Sequence, residues 1–246
     1  MNREALITLI RARSRPLPPQ PVAVASRALA GPPVRAVLFD VYGTLLVSAA
    51  GDIGSASPLS ALVAQQHAAA RQRGVDWPEV EIRALWRAAG IAEAEVERVA
   101  VEHELTSNPV WPMPGLPAVP RALAERLLVG VVSNAQFYTP LTLEALAGGT
   151  LAEQGFAADL CLWSFEQGRA KPSVELYRDA ARRLAARGIA PGETLMVGNS
   201  ARKDVAPAQA AGFRAALFAG DRRSYDPADD VRPDAVITTL SQLLDL

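Results

Sequence analysis

At 246 residues, half of them hydrophobic and 21% charged, the chain can bury one large core, or a core with a smaller insert. A net charge of −1 speaks against nucleic acid as a partner, and no apolar run approaches the roughly 20 residues of a membrane span. The single cysteine, Cys161, excludes an intramolecular disulfide, and the short apolar stretch 5–10 precedes rather than follows its arginines, Arg11 and Arg13. A cytoplasmic protein is expected.

In chain order, residues 1–33 read as an N-terminal Pro-rich arm: about two helical turns, then extended chain, as a solvated tail or a contact to a second copy. Residues 34–50 begin the core domain with a strand over 37–39. Residues 46–57 are small and polar, as a hinge would be. Residues 51–112 are expected to be a helical insert. Leu59, Leu62 and Val63 mark its first helix, Val80, Ile82, Leu85 and Trp86 its second, and Val96 and Val99 its third. A helix start is placed at Trp77-Pro78-Glu79, and no strand is predicted between 58 and 105. The core resumes over 113–246. Strands are predicted at 128–132, 159–163, 194–197, 213–218 and 235–237, with helices near 119–127, 140–148, 174–187 and 204–211 and a loop at 164–172. This alternation predicts an α/β fold, a parallel sheet covered by helices on both faces.

The apolar strand 37–39 runs into Asp40-Val41-Tyr42-Gly43-Thr44-Leu45. Asp40 therefore stands at the carboxyl end of a central strand, where open α/β sheets bind ligands. A turn or capping Asp would look the same; an aspartyl nucleophile is the functional alternative. Further strand ends or adjacent loops present Ser133-Asn134, Lys171, and Asn199 with Asp204. In a parallel sheet these all lie on one edge. Of 25 basic residues only Lys171 and Lys203 are lysines, a sign of places that need a compact ammonium.

Asp-x-Tyr-Gly-Thr-Leu followed by Ser133, Lys171 and Asp204 in this order resembles the four motifs of the haloacid dehalogenase (HAD) superfamily over about 34–218. The resemblance implies a Rossmannoid core with an α-helical cap domain. It also implies hydrolysis through an aspartyl-enzyme intermediate on Asp40, with Lys171 and Asp204 as the other catalytic residues. Ser133 would hold the substrate's anionic group, with Thr44, Asn134 and Asn199 completing the substrate side.

Two departures divide the chemistry. HAD phosphatases carry a second Asp where this chain has Tyr42, and Gly-Asp where it has Gly198-Asn199. A tyrosine of ordinary pKa near 10 is a poor general base, whereas halide leaves carbon without a proton. Tyr at 42 resembles the 2-haloacid dehalogenases, as do Arg87 in Ala84-Leu85-Trp86-Arg87, like the helix segment lining their halide pocket, and Tyr177. The length from Gly198 to Asp204 instead resembles phosphatases. The first expectation is a dehalogenase-like enzyme without cofactor. The second is a phosphatase with magnesium on Asp40, the Tyr42 carbonyl, Asn199 and Asp204. The third is a fold retained for binding. A small anionic substrate is expected in either enzyme, and a homodimer is left open. His67 and His103 stand singly, without metal-ligand spacing.

Overall fold

The computed structural model describes residues 1–50 and 58–246. Its strands in chain order are β1 (Ala36–Phe39), β2 (Leu46–Ser48), β3 (Val110–Pro112), β4 (Leu128–Ser133), β5 (Cys161–Trp163), β6 (Thr194–Gly198), β7 (Arg214–Phe218) and β8 (Ala235–Ile237). Six of them form one parallel sheet in the order β5-β4-β1-β6-β7-β8. The helices are α1 (Arg3–Arg13), α2 (Ser60–Gln72), α3 (Ile82–Ala88), α4 (Glu93–Ser107), α5 (Ala118–Ala124), α6 (Tyr138–Ala147), α7 (Ser164–Gln167), α8 (Val174–Ala185) and α9 (Ala206–Ala210).

β1 is central because its side chains are apolar on both faces. Val37 and Phe39 enter one cluster with Val129, Val131, Leu195 and Leu123 of α5. Ala36 and Leu38 enter the other with Met196 and with Leu176, Tyr177 and Leu184 of α8. Alternate residues of a strand point to opposite faces, so this four-residue run must be covered twice. No helix among the described residues is long and apolar enough to cross a membrane.

The insert between β2 and β3 carries α2, α3 and α4. Leu85, Trp86, Val96, Ala100 and Val101 pack there against Phe137, Tyr138 and Ala145 on the far side of β4. His103 lies edge-on to Trp86, with ring centroids 5.3 Å apart, which makes it part of this packing.

Four sequence expectations are corrected. Residues 46–48 and 110–112 are strands, paired antiparallel with Leu46 opposite Pro112 and Ser48 opposite Val110. Both are edges of a two-stranded ribbon, where a proline is tolerated because no inner ladder needs its missing N–H. The remainder of the predicted hinge, 51–57, lies outside the described residues. Second, α3 starts at Ile82, because the Glu81 carboxylate caps the amides of Arg83 and Ala84 at 3.3 and 3.2 Å. Residues 77–79 instead run beside 168–170: Glu79 N–H donates to Gly168 O at 3.1 Å and Ala170 N–H to Trp77 O at 2.7 Å. Third, the loop 164–172 opens with the helical turn α7.

Fourth, the arm is not a solvated tail. α1 buries Leu6 and Ile10 among the residues of α3, α4 and α6. Arg3 pairs with the nearly buried Glu144, and Arg11 Nε donates to Ala145 O at 2.8 Å. The extended part then crosses the core, where Gln20 O accepts from Arg222 N–H at 2.8 Å and Arg27 forms an antiparallel bridge with Val236.

Candidate active site

β1 ends in Phe39, and Asp40 N–H still donates to Val197 O at 2.9 Å, which fixes the Asp40 backbone to the sheet. The chain then turns around the Val41 carbonyl, which takes the amides of Thr44, Leu45 and Leu46 at 3.1, 2.9 and 2.8 Å. Gly43 makes that turn with φ +88, and a Cβ there would stand 2.6 Å from Ser224 Cβ. Glycine is thus needed twice over, for its backbone and for the approach of the 221–226 loop. At the end of β6, a Cβ on Gly198 would run into the Asp204 carboxylate.

Lys171 joins the two carboxylates. Its Nζ lies 2.5 Å from Asp40 Oδ1 and 2.5 Å from Asp204 Oδ1, and all three residues are buried. Asp204 sits in a single π-helical turn, Ala201–Val205, where its Oδ2 accepts Ser200 N–H at 3.0 Å. Ser133 Oγ reaches Asp40 Oδ1 at 3.0 Å and Asn134 O at 3.1 Å. Asn134 brackets Lys171: its Oδ1 accepts the Lys171 N–H at 2.6 Å, and its Nδ2 lies 3.3 Å from the Lys171 carbonyl. Thr44 donates to Asn199 Oδ1 at 3.2 Å, and Asn199 Nδ2 donates to Ser224 O at 2.7 Å.

Burial pushes the Asp40 carboxyl up to about 6, with the Lys171 charge opposing and the Asp204 charge adding to the rise. Burial also works against the Lys171 ammonium, but the two carboxylates outweigh it and its pKa rises. The pair Asp40 and Asp204 with one ammonium leaves one net negative charge on the cleft floor.

Above them opens a cleft of about 390 Å³ lined by Asp40, Tyr42, Asn134, Lys171, Asn199 and Asp204 together with residues of the 200–203 and 223–226 segments. Both lysines of the chain line it. Tyr42 directs its hydroxyl to Thr139 Oγ1 at 2.9 Å, and burial together with the charge of Glu104 raises its pKa well above 10.

Several expected substrate residues stand elsewhere. Arg87 is exposed on α3, its guanidinium donating to Glu93 at 2.5 and 2.8 Å, and does not line the cleft. Tyr177 is fully buried in the core, with its ring against Phe213 and its hydroxyl donating to Lys203 O at 2.7 Å. Thr44 and Ser133 are fully buried too and act on Asn199 and Asp40 rather than on the open space. Reading the sequence did not single out Arg223, Ser224, Tyr225 or Asp226. The signal was available: a polar loop directly follows the buried strand β7, at the same sheet edge as Asp40.

Among the described residues no three Asp, Glu, His or Cys side chains are grouped to hold a metal ion. The side-chain donors on the floor are the Asp40 and Asp204 carboxylates and the Asn199 amide oxygen, all oxygen. That chemistry fits a hard cation such as magnesium, at lower formal charge than a three-acid site.

The sequence model of the haloacid dehalogenase-like hydrolases matches residues 34–212. A phosphoserine phosphatase from Thermus thermophilus is 37% identical over 123 residues, 50% of this chain; the match spans only 44% of that relative's length. Among solved structures, a 2-haloacid dehalogenase from Pseudomonas syringae aligns over 86% of this chain and 97% of its own, at 25% identity and TM-score 0.53. A HAD phosphatase from Thermococcus onnurineus aligns over the same shares, at 22% identity and TM-score 0.51. With the strand-end carboxylate, its lysine and the matched span in agreement, the chain belongs to the haloacid dehalogenase-like hydrolases.

Proposed function

We propose that the protein hydrolyses phosphate monoesters of small anionic molecules through a covalent intermediate on Asp40. The observation that carries this reading is the character of the cleft. Lys171 stands beside Asp40 in a cleft lined mainly by polar side chains, whereas Arg87, the residue a halide pocket would use, pairs with Glu93 instead. A polar cleft with a lysine at the nucleophile and oxygen donors for a hard cation suits a phosphoryl group better than a small haloacid.

Ser133 and Lys171 hold Asp40 Oδ1, which leaves Oδ2 to attack phosphorus. The new Oδ2–P bond forms as the ester P–O bond breaks, and its electron pair leaves with the alcohol oxygen. Water then attacks phosphorus, releasing phosphate and restoring the Asp40 carboxylate. Lys171 offsets negative charge on the floor throughout. A magnesium ion on Asp40, Asp204, Asn199 and the Tyr42 carbonyl would supply further positive charge against the phosphoryl oxygens. Tyr42, bonded to Thr139 and hard to ionise, is a weak acid for the leaving oxygen. Substrates with a good leaving group are therefore favoured.

The same absence of a strong acid supports a second reading, displacement of halide from a 2-haloacid. There Oδ2 would attack carbon, halide would depart with the bonding pair, and water would cleave the resulting ester. Turnover of p-nitrophenyl phosphate and of 2-chloropropionate, each with magnesium and with EDTA, separates the two. We expect magnesium-dependent phosphate release that falls at least about 1,000-fold in Asp40→Asn. Halide release that survives EDTA would replace this reading with the second. Silence on both would favour a fold retained for binding.

A further inference from the structure

We infer that Arg223 is a specificity residue, fixed in place by the N-terminal arm, that binds a second oxyanion group of the substrate. The inference rests on the phosphatase reading above and deepens it.

Arg223 lies in the loop after β7 and lines the same cleft as Asp40. Its guanidinium is held from behind. Nε lies 3.2 and 3.1 Å from the two oxygens of Asp221, which is 1% exposed. Nη2 donates to the Pro18 carbonyl of the arm at 2.5 Å. The arm also fixes Asp221, whose Oδ1 accepts the Gln20 N–H at 3.0 Å, and the neighbouring Arg222, whose N–H donates to Gln20 O at 2.8 Å. Residues some 200 positions apart in the chain thus build one rigid mount.

What remains is Nη1, which makes no hydrogen bond to any described residue, on a side chain that is 20% exposed. A guanidinium ordered by Nε and Nη2 has already lost its rotamer freedom, so binding through the free edge loses little further entropy. Its planar donors match carboxylate and phosphate oxygens. Asp226 also faces the cleft, but its carboxylate accepts from Ser200 Oγ at 2.6 Å and ties the loop to β6. The structure therefore offers one cationic group, Lys171, at the reacting centre and another, Arg223, along the wall. A substrate carrying a carboxylate or second phosphate beside its phosphate ester would engage both.

The test compares kcat and KM for p-nitrophenyl phosphate, phosphoglycolate and 1,3-propanediol bisphosphate, with magnesium, in the wild type, Arg223→Gln and Arg223→Lys. Arg223→Lys keeps a cation opposite the buried Asp221, so it guards against a folding failure, yet it cannot supply the mounted fork. The expected result is that the wild type shows a lower KM for one of the two compounds with a second anionic group than for p-nitrophenyl phosphate. Both variants should lose about 10-fold or more on it, mainly through KM, while p-nitrophenyl phosphate changes by less than about twofold. Which of the two has the lower KM distinguishes a carboxylate from a phosphate as the second group. Equal losses on all three substrates, or no loss in either variant, would overturn the role of Arg223 and leave the phosphatase reading intact. No Asp40-dependent turnover of p-nitrophenyl phosphate by the wild type would remove both.

Discussion

Two pairs of acids in this molecule, one buried and one half-buried, are handled differently. On the cleft floor, Asp40 and Asp204 share the Lys171 ammonium at 2.5 Å each. At the joint between the helical insert and the core, the half-buried Glu79 and Glu104 take neutral donors from the described residues. Glu79 takes Ser164 Oγ at 2.7 Å and Val80 N–H at 2.9 Å; Glu104 takes the Tyr138 hydroxyl at 2.9 Å and Asn108 Nδ2 at 3.3 Å. Burial raises the pKa of both glutamates, and these hydrogen bonds only partly oppose it. A matched cation keeps charge available for chemistry on the floor. At the joint, hydrogen bonds position side chains without supplying charge.

Removing the cation should break this contrast most severely. Lys171→Met leaves two carboxylates facing each other without compensation, and losing one partner of a buried ion pair costs roughly 3–5 kcal/mol. The loss should be largest above pH 6 and shrink in acid, because protonating either carboxylate removes the repulsion. Urea unfolding at pH 8 and pH 5.5 measures both values. In the metal-free wild type, carboxyl carbon-13 NMR should show Asp40 protonating near pH 6. A pKa below the usual carboxylate range would mean that Lys171 outweighs burial. Since only the carboxylate attacks, turnover should fall as pH drops through the Asp40 pKa.

The floor was legible in the sequence because each of its residues follows a buried strand or sits a fixed step beyond one. Asp40, Lys171, Asn199 and Asp204 all line the cleft. The rarity of lysine was informative as well, since both lysines reach that space. The joint was not legible. Tyr42, in the turn after β1, meets Thr139 of α6, and Glu104 of α4 meets Tyr138 of α6, and helical periodicity does not fix which polar tips meet there. Arg87 shows the limit from the other side: a local likeness around Trp86 could not reveal that Glu93, six residues on, takes the guanidinium. The role of the arm's extended part was hidden because residues 18–27 meet the core largely through backbone carbonyls and amides, which carry no side-chain pattern.

Glu104→Gln tests the joint at a smaller scale. The amide can accept from Asn108 and donate to Tyr138, whose hydroxyl can turn to accept, so the change should stay within about 1 kcal/mol at pH 7. The sign should depend on pH. The folded pKa of Glu104 is raised above its ordinary 4.5, so the folded wild type binds more protons and loses stability as pH rises past that value. The glutamine variant lacks this loss. Its stability relative to the wild type should therefore improve between pH 4.5 and 7, and thermal unfolding across that range would show it; a flat difference would mean that Glu104 stays ionised as it does in water.

Tyr42→Phe is the mildest change and bears most directly on the chemistry. It deletes the hydroxyl next to Thr139 Oγ1, but the Gln136 N–H still donates to that oxygen at 3.0 Å, so about 1 kcal/mol of stability is at stake. Because the phenol is held by Thr139 and titrates well above 10, its loss should alter kcat for p-nitrophenyl phosphate by less than about twofold. Tyr42→Asp should raise kcat for a phosphate ester with a poor leaving group, since it places a carboxyl where the alcohol needs a proton. A 100-fold fall in Tyr42→Phe would instead make the hydroxyl the working acid, and would move Tyr42 from the joint to the floor.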